Sequence, residues 1–185
     1  MAALAGPFVV AAALVALAGA QKLLDPRNTV GALRALGWNV PALAVRAGAA
    51  IELGVGAGAL ATGRAPFALA LVASYAAFAG FVEVARRRGT MVGSCGCFGA
   101  RDTPPSLVHV VVDVGLALVA VGWLAADHAA PLRGLGDAPG GGLPFVLLAL
   151  VTTGLTYAAL TELPRTLAEV RRVTTRRAAA HEAAL

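Results

Sequence analysis

Charge is scarce in this chain. Only 14% of its residues are Asp, Glu, Lys or Arg, against roughly 25% in soluble globular domains. Aromatic residues are scarcer, at 5%. Cysteine occurs twice, too rarely for the disulfide framework of a small secreted protein. There is no Cys-x-x-Cys-His for haem attachment and no glycine motif for a nucleotide. What remains is 58% hydrophobic, with the few charges segregated between long apolar runs. Five of these runs reach about 20 residues, enough to cross a ~30 Å hydrocarbon core. The fold class that follows is all-α, an integral membrane helical bundle of about five transmembrane helices.

The runs cover residues 7–24, 41–62, 66–85, 106–126 and 144–160. A short interfacial helix is expected over 29–36, before Trp38, and a turn-rich Gly/Pro connector over 131–143. Residues 1–164 thus read as the bundle, 89–105 as a loop within it, and 165–185 as a basic, helical cytoplasmic tail. In the second run Gly54 and Gly58 form a G-x-x-x-G pattern that predicts close approach of another helix.

Lysine and arginine placement sets the expected orientation. With the amino terminus outside, the inner side carries Lys22, Arg27, Arg34 and Arg46, then Arg86, Arg87, Arg88 and Arg101, and finally Arg165, Arg171, Arg172, Arg176 and Arg177. Only Arg64 and Arg133 fall outside. The net charge of +5 is therefore read as topology determinants and headgroup contacts, with the lipid bilayer as partner and no nucleic acid. Ala18-Gly19-Ala20 looks like a signal-peptidase site, yet no Lys or Arg precedes the run and cleavage would strand basic residues outside. A retained first helix is expected.

Ionisable groups within a bilayer are costly and tend to face the bundle interior in pairs. Glu52 lies mid-span in the second run, and Glu83 near the cytoplasmic end of the third. His109 and Asp113 share one helical face of the fourth. Lys22 closes the first. The expectation is that Lys22, Glu83, His109 and Asp113 gather at the level of the two cysteines, in Ser94-Cys95-Gly96-Cys97-Phe98-Gly99. Each also has a plainer reading: Lys22 and Glu83 snorkel to headgroups, and Glu52 or the His109–Asp113 pair makes a helix-to-helix contact. His128 and His181 fall outside the spans.

Two thiols one residue apart suit a dithiol/disulfide couple. A thiolate needs a lowered pKa and access, and the nearby arginines supply positive potential. A disulfide between such close neighbours closes a small ring and is expected to be labile. The same thiols suit a soft ion, Cu, Zn or Hg, with His109 as a third ligand. A closed tetrahedral site needs four ligands, and there is no second cysteine pair.

The segment Ala18-Gly19-Ala20-Gln21-Lys22-Leu23-Leu24-Asp25-Pro26, the Glu52-bearing span and Cys95-Gly96-Cys97-Phe98-Gly99 between spans three and four resemble the MauE proteins of methylamine utilisation, within the wider DoxX-like group. The resemblance covers residues 7–126, a four-helix DoxX-like core to which the last span is added. It implies a redox-associated membrane protein that works beside a thioredoxin-like partner in maturing a disulfide-rich exported enzyme subunit. The cysteine pair matches residue by residue. Roles for Glu52, Glu83, His109 and Asp113 rest on the residues alone.

The expected function is thiol–disulfide exchange in a bacterial inner membrane by Cys95 and Cys97. His109 manages the proton, Asp113 orients it, and Lys22, Glu52 and Glu83 give polar support. Its partner is a thioredoxin-like protein. The rivals are a soft-metal carrier using Cys95, Cys97 and His109, and a non-enzymatic assembly subunit. No cofactor is evident. With the loop on the cytoplasmic side, a rocking bundle or a quinone in the helix interior would carry the electrons across.

Overall fold

The computed structural model describes residues 4–88, 104–126, 130–132, 135 and 139–182. Among these residues it is all helical: α1 (Ala5–Leu24), α2 (Arg27–Ala35), α3 (Ala42–Thr62), α4 (Ala65–Arg87), α5 (Leu107–Ala125), a 3-10 turn (Pro139–Gly142), α6 (Leu143–Thr161) and α7 (Leu163–Glu182). Five helical segments are long and apolar enough to span a membrane, built on α1, α3, α4, α5 and α6. The protein is a multi-pass membrane protein.

Prolines and glycines set the boundaries. Pro26 and Pro41 cap α2 and α3, while Pro66 and Pro144 occupy the first turns of α4 and α6, where a missing N–H costs nothing. Gly63 ends α3 in the left-handed region at φ 60°, which a Cβ would disfavour. Helix α4 runs on to Arg87, past the expected end at 85, because cations are favourable at a helix carboxyl terminus.

Helix α1 lies at the centre and meets α3, α4, α5 and α6. Phe8, Ala11, Ala12, Leu14, Val15 and Ala18 are all buried. It crosses α3 at backbone contact: a Cβ on Gly19 would lie 2.6 Å from the Ala49 oxygen, and one on Gly56 would lie 2.6 Å from the Ala12 oxygen. These contacts fix the two helices as antiparallel. They also correct the expected G-x-x-x-G pair. Gly54 faces open space and Gly58 faces the Phe67 ring, so the α1-facing glycine of α3 is the one between them. A three-residue gap in spacing does not reveal which way the helix is rotated.

At the other end of α1, Phe8 stacks on Trp123 with centroids 4.2 Å apart, and the Trp123 indole N–H donates to the Gly63 carbonyl at 2.9 Å. Tyr75 donates its hydroxyl to the Ala11 carbonyl at 2.6 Å. Thr152, Thr153 and Thr156 of α6 each donate to the carbonyl four residues back, which satisfies hydroxyls that lipid cannot. Leu43, Ile51, Leu118, Leu148 and Leu155 are more than half exposed, the expected exterior of a bundle solvated by acyl chains.

Candidate functional site

Lys22 sits one turn from the carboxyl end of α1, and helical side chains lean toward the amino terminus. Its chain therefore reaches back into the bundle. Glu52, on antiparallel α3, leans toward it for the same reason. The ammonium donates to both carboxylate oxygens, at 2.9 and 2.7 Å, and lies 4.5 Å from the centroid of the Phe78 ring, within cation–π range. The Lys22 side chain is 6% exposed and that of Glu52 19%. The sequence reading placed Lys22 with Glu83 and the span-four pair. The structure gives it to Glu52, and neither residue reaches for headgroups.

The ion pair forms one wall of a groove of about 500 Å³. Thr29 and Leu33 of α2, Trp38 of the connector, and Ala77, Phe78, Gly80, Phe81 and Val84 of α4 complete it. Trp38 and Phe81 meet at 6.3 Å with their planes tilted by 51°. Apart from Lys22, Glu52 and the Thr29 hydroxyl, the lining side chains are apolar or aromatic. Sequence reasoning missed the aromatic members, since Trp38 lies outside any span and Phe78 and Phe81 look like ordinary lipid-facing residues.

A second, nearly closed cavity lies behind Phe78. It is lined by Leu14, Val15, Ala18, Tyr75, Phe78, His109, Asp113, Leu116 and Leu160, with about 10 Å³ free, room for one water at most. His109 and Asp113 are buried here, 1% and 7% exposed, on the shared face that their spacing predicts. Ser106, which caps α5, shares a 2.9 Å hydrogen bond with His109 Nδ1. Ser106 and His109 are three apart across a helix start, a spacing that marks the contact in the sequence. Phe78 borders both cavities and meets Tyr75 edge-on at 6.1 Å.

Glu83 stands apart from both. Its carboxylate accepts from Arg86 at 3.0 Å and Arg87 at 2.6 Å, on its own helix. Arg88 donates to the Leu36 carbonyl at 2.9 Å, tying the end of α4 to the end of α2. Outside the spans, Asp25 accepts from the Arg27 guanidinium twice at 2.8 Å and from its backbone N–H at 3.1 Å. The Arg27 side-chain hydrogen bonds are the main cause that holds the Asp25 carboxyl down, from 3.8 to about 2.

Cys95 and Cys97 lie outside the described residues, as does most of the 89–105 loop. The chain enters that loop from the Arg88 end of α4 and leaves it into Ser106, one turn before His109. Among the described residues, no three His, Cys, Asp or Glu side chains are grouped to hold a metal. The soft-metal set of Cys95, Cys97 and His109 falls mainly outside them.

No curated protein and no solved structure matches the chain. The family model for the methylamine utilisation protein MauE does match, over residues 1–126. That stretch holds α1 to α5, the groove, the ion pair, the second cavity apart from Leu160 of α6, and the Cys-x-Cys segment, and the chain belongs to the MauE family.

Proposed function

We propose that the protein is a membrane thiol–disulfide exchange protein. Cys95 and Cys97 pass electrons to and from a thioredoxin-like partner, in support of disulfide formation in an exported protein of methylamine utilisation. The observation that carries the reading is His109. A histidine buried inside a membrane span is costly unless partnered. This one sits beside Asp113 and Ser106, one turn from the point where the cysteine loop joins α5. Thiol exchange needs a group of this kind to accept and return a proton near neutral pH.

The exchange is balanced without a cofactor. One cysteine thiolate attacks the partner's disulfide, forming a mixed disulfide and releasing a partner thiolate that takes up a proton. The second cysteine then displaces the partner, closing the Cys95–Cys97 bond. Two electrons and two protons have moved to the partner, and the reverse sequence oxidises it. His109 holds the proton between the steps, and Asp113 stabilises the imidazolium. The protein works in the bacterial inner membrane with its amino terminus outside and its tail in the cytoplasm, following the basic residues.

Single Cys95→Ser and Cys97→Ser variants test this. One of them should accumulate a mixed disulfide with a thioredoxin-like protein, visible on non-reducing gels and lost on reduction. Absence of any adduct from both variants, with the client's disulfides unchanged, rules the mechanism out.

A further inference from the structure

The groove beside Lys22 and Glu52 is not used by the exchange chemistry, and its composition describes a ligand. Three properties narrow the class. The polar wall is an ammonium–carboxylate pair, so its net charge is zero and it offers little to a phosphate or a free carboxylate. The ammonium has three N–H donors. Among the described residues, two are spent on Glu52, and the third has the Phe78 ring beside it. Lys22 is 5% exposed overall and lines the groove. The other walls include Trp38, Phe78 and Phe81, which suit a flat ring. At about 500 Å³ the groove falls in the range of small-molecule sites, roughly 300–1,000 Å³.

We infer that this groove binds a quinone, a neutral flat ring with carbonyl acceptors and an apolar tail, seating one carbonyl on Lys22 Nζ. The ring lies among the aromatic side chains and the tail runs out toward the acyl chains past Gly80 and Ala77, both exposed on α4. Glu52 keeps the ammonium in place and has spare lone pairs for a hydroxyl, so the quinol is held as well as the quinone. This deepens the proposed exchange and rests on it only for purpose. Closing one Cys95–Cys97 disulfide from two thiols releases two electrons and two protons, which is what converts one quinone to one quinol. Binding itself does not depend on the thiols.

Gly80 supplies the test. A Cβ built there meets nothing within 4 Å, so Gly80→Leu occupies the groove without displacing the protein. The reporter is Trp38, 47% exposed on the groove, whereas Trp123 is buried under Phe8. Full-length protein in lipid nanodiscs is titrated with ubiquinone-1 while Trp emission is followed. Saturable quenching is expected, lost in Trp38→Phe. The midpoint should move at least tenfold higher in Gly80→Leu, which retains wild-type thermal unfolding, and in the charge-free double variant Lys22→Met/Glu52→Gln, which stays folded under the assay conditions. Cys95→Ser/Cys97→Ser should bind as the wild type does, so failure of the exchange mechanism and failure of this site are read separately. Quenching that rises linearly without saturation overturns the assignment, and so does saturation unchanged by Gly80→Leu. A phospholipid that co-purifies with the wild type and is missing from Gly80→Leu, without quinone saturation, overturns it in favour of a lipid.

Discussion

Removing one member of the Lys22–Glu52 pair should hurt more than removing both. The Lys22 side chain is 6% exposed and the carboxylate accepts both of its hydrogen bonds from that ammonium, at 2.9 and 2.7 Å. Lys22→Met keeps the aliphatic stem but leaves a carboxylate without its cation. Glu52→Gln leaves an ammonium facing an amide. Stranding one charge of a buried pair costs about 3–5 kcal/mol, whereas exchanging the whole pair for neutral groups of similar shape is often close to neutral. In a bilayer the partly unfolded chain also finds polar partners, so each single variant is expected near the lower end, about 3 kcal/mol, from the same ion-pair range. The double variant Lys22→Met/Glu52→Gln should lose about 1 kcal/mol, the net worth of an ordinary hydrogen-bonded contact. The assay is reversible unfolding in bicelles, by titration with SDS or by steric trapping, on all four corners of the cycle. A double variant whose loss equals the two single losses added together would refute the reasoning, since the residues would then act independently.

Three further outcomes follow from the same geometry. Gly56→Ala should sharply reduce folded protein, because its Cβ would lie 2.6 Å from α1 backbone atoms, while Gly54→Ala, with nothing within 4 Å, should be neutral or stabilising by up to about 1 kcal/mol; size-exclusion yield and thermal unfolding separate the two. The Asp25 carboxyl, lowered from 3.8 to about 2 by Arg27, contributes its stabilisation fully above pH 3.8 and loses it as pH falls through 2. Hydrogen exchange at the start of α2 should therefore be as slow at pH 4 as at pH 7 once corrected for intrinsic rates, and faster toward pH 2; an equal loss by pH 4 contradicts the Arg27 contact. A membrane-impermeant maleimide should leave Cys95 and Cys97 unlabelled in intact cells and label them in inverted vesicles, and labelling from outside reverses the orientation drawn from the basic residues.

Several features of the site were legible because they depend on local periodicity. His109 and Asp113 are four apart, so one helical face carries both whatever surrounds it, and burial followed from the cost of such groups in lipid. The Glu83 contacts are equally local, with Arg86 and Arg87 at three and four residues along the helix, and they hold Glu83 away from the convergence expected at the cysteine level. Nothing in the spacing joins Lys22 to Glu52. Their meeting depends on the register of α1 against α3 and on side chains that lean toward each other from antiparallel helices, neither of which is encoded in spacing. Gly54 and Gly58 mislead for a related reason: Gly56 carries the crossing, since helix rotation decides which glycine meets the neighbour.

By itself the sequence determined that this is a membrane bundle, because long uncharged runs and clustered arginines leave no soluble alternative. It also determined where the helices begin and end, because prolines and glycines act on the backbone locally. Only the tertiary structure decided which charges neutralise one another and which aromatic rings enclose a groove. Those outcomes depend on the depth and rotation of whole helices, which close backbone contacts at Gly19 and Gly56 set across the bundle.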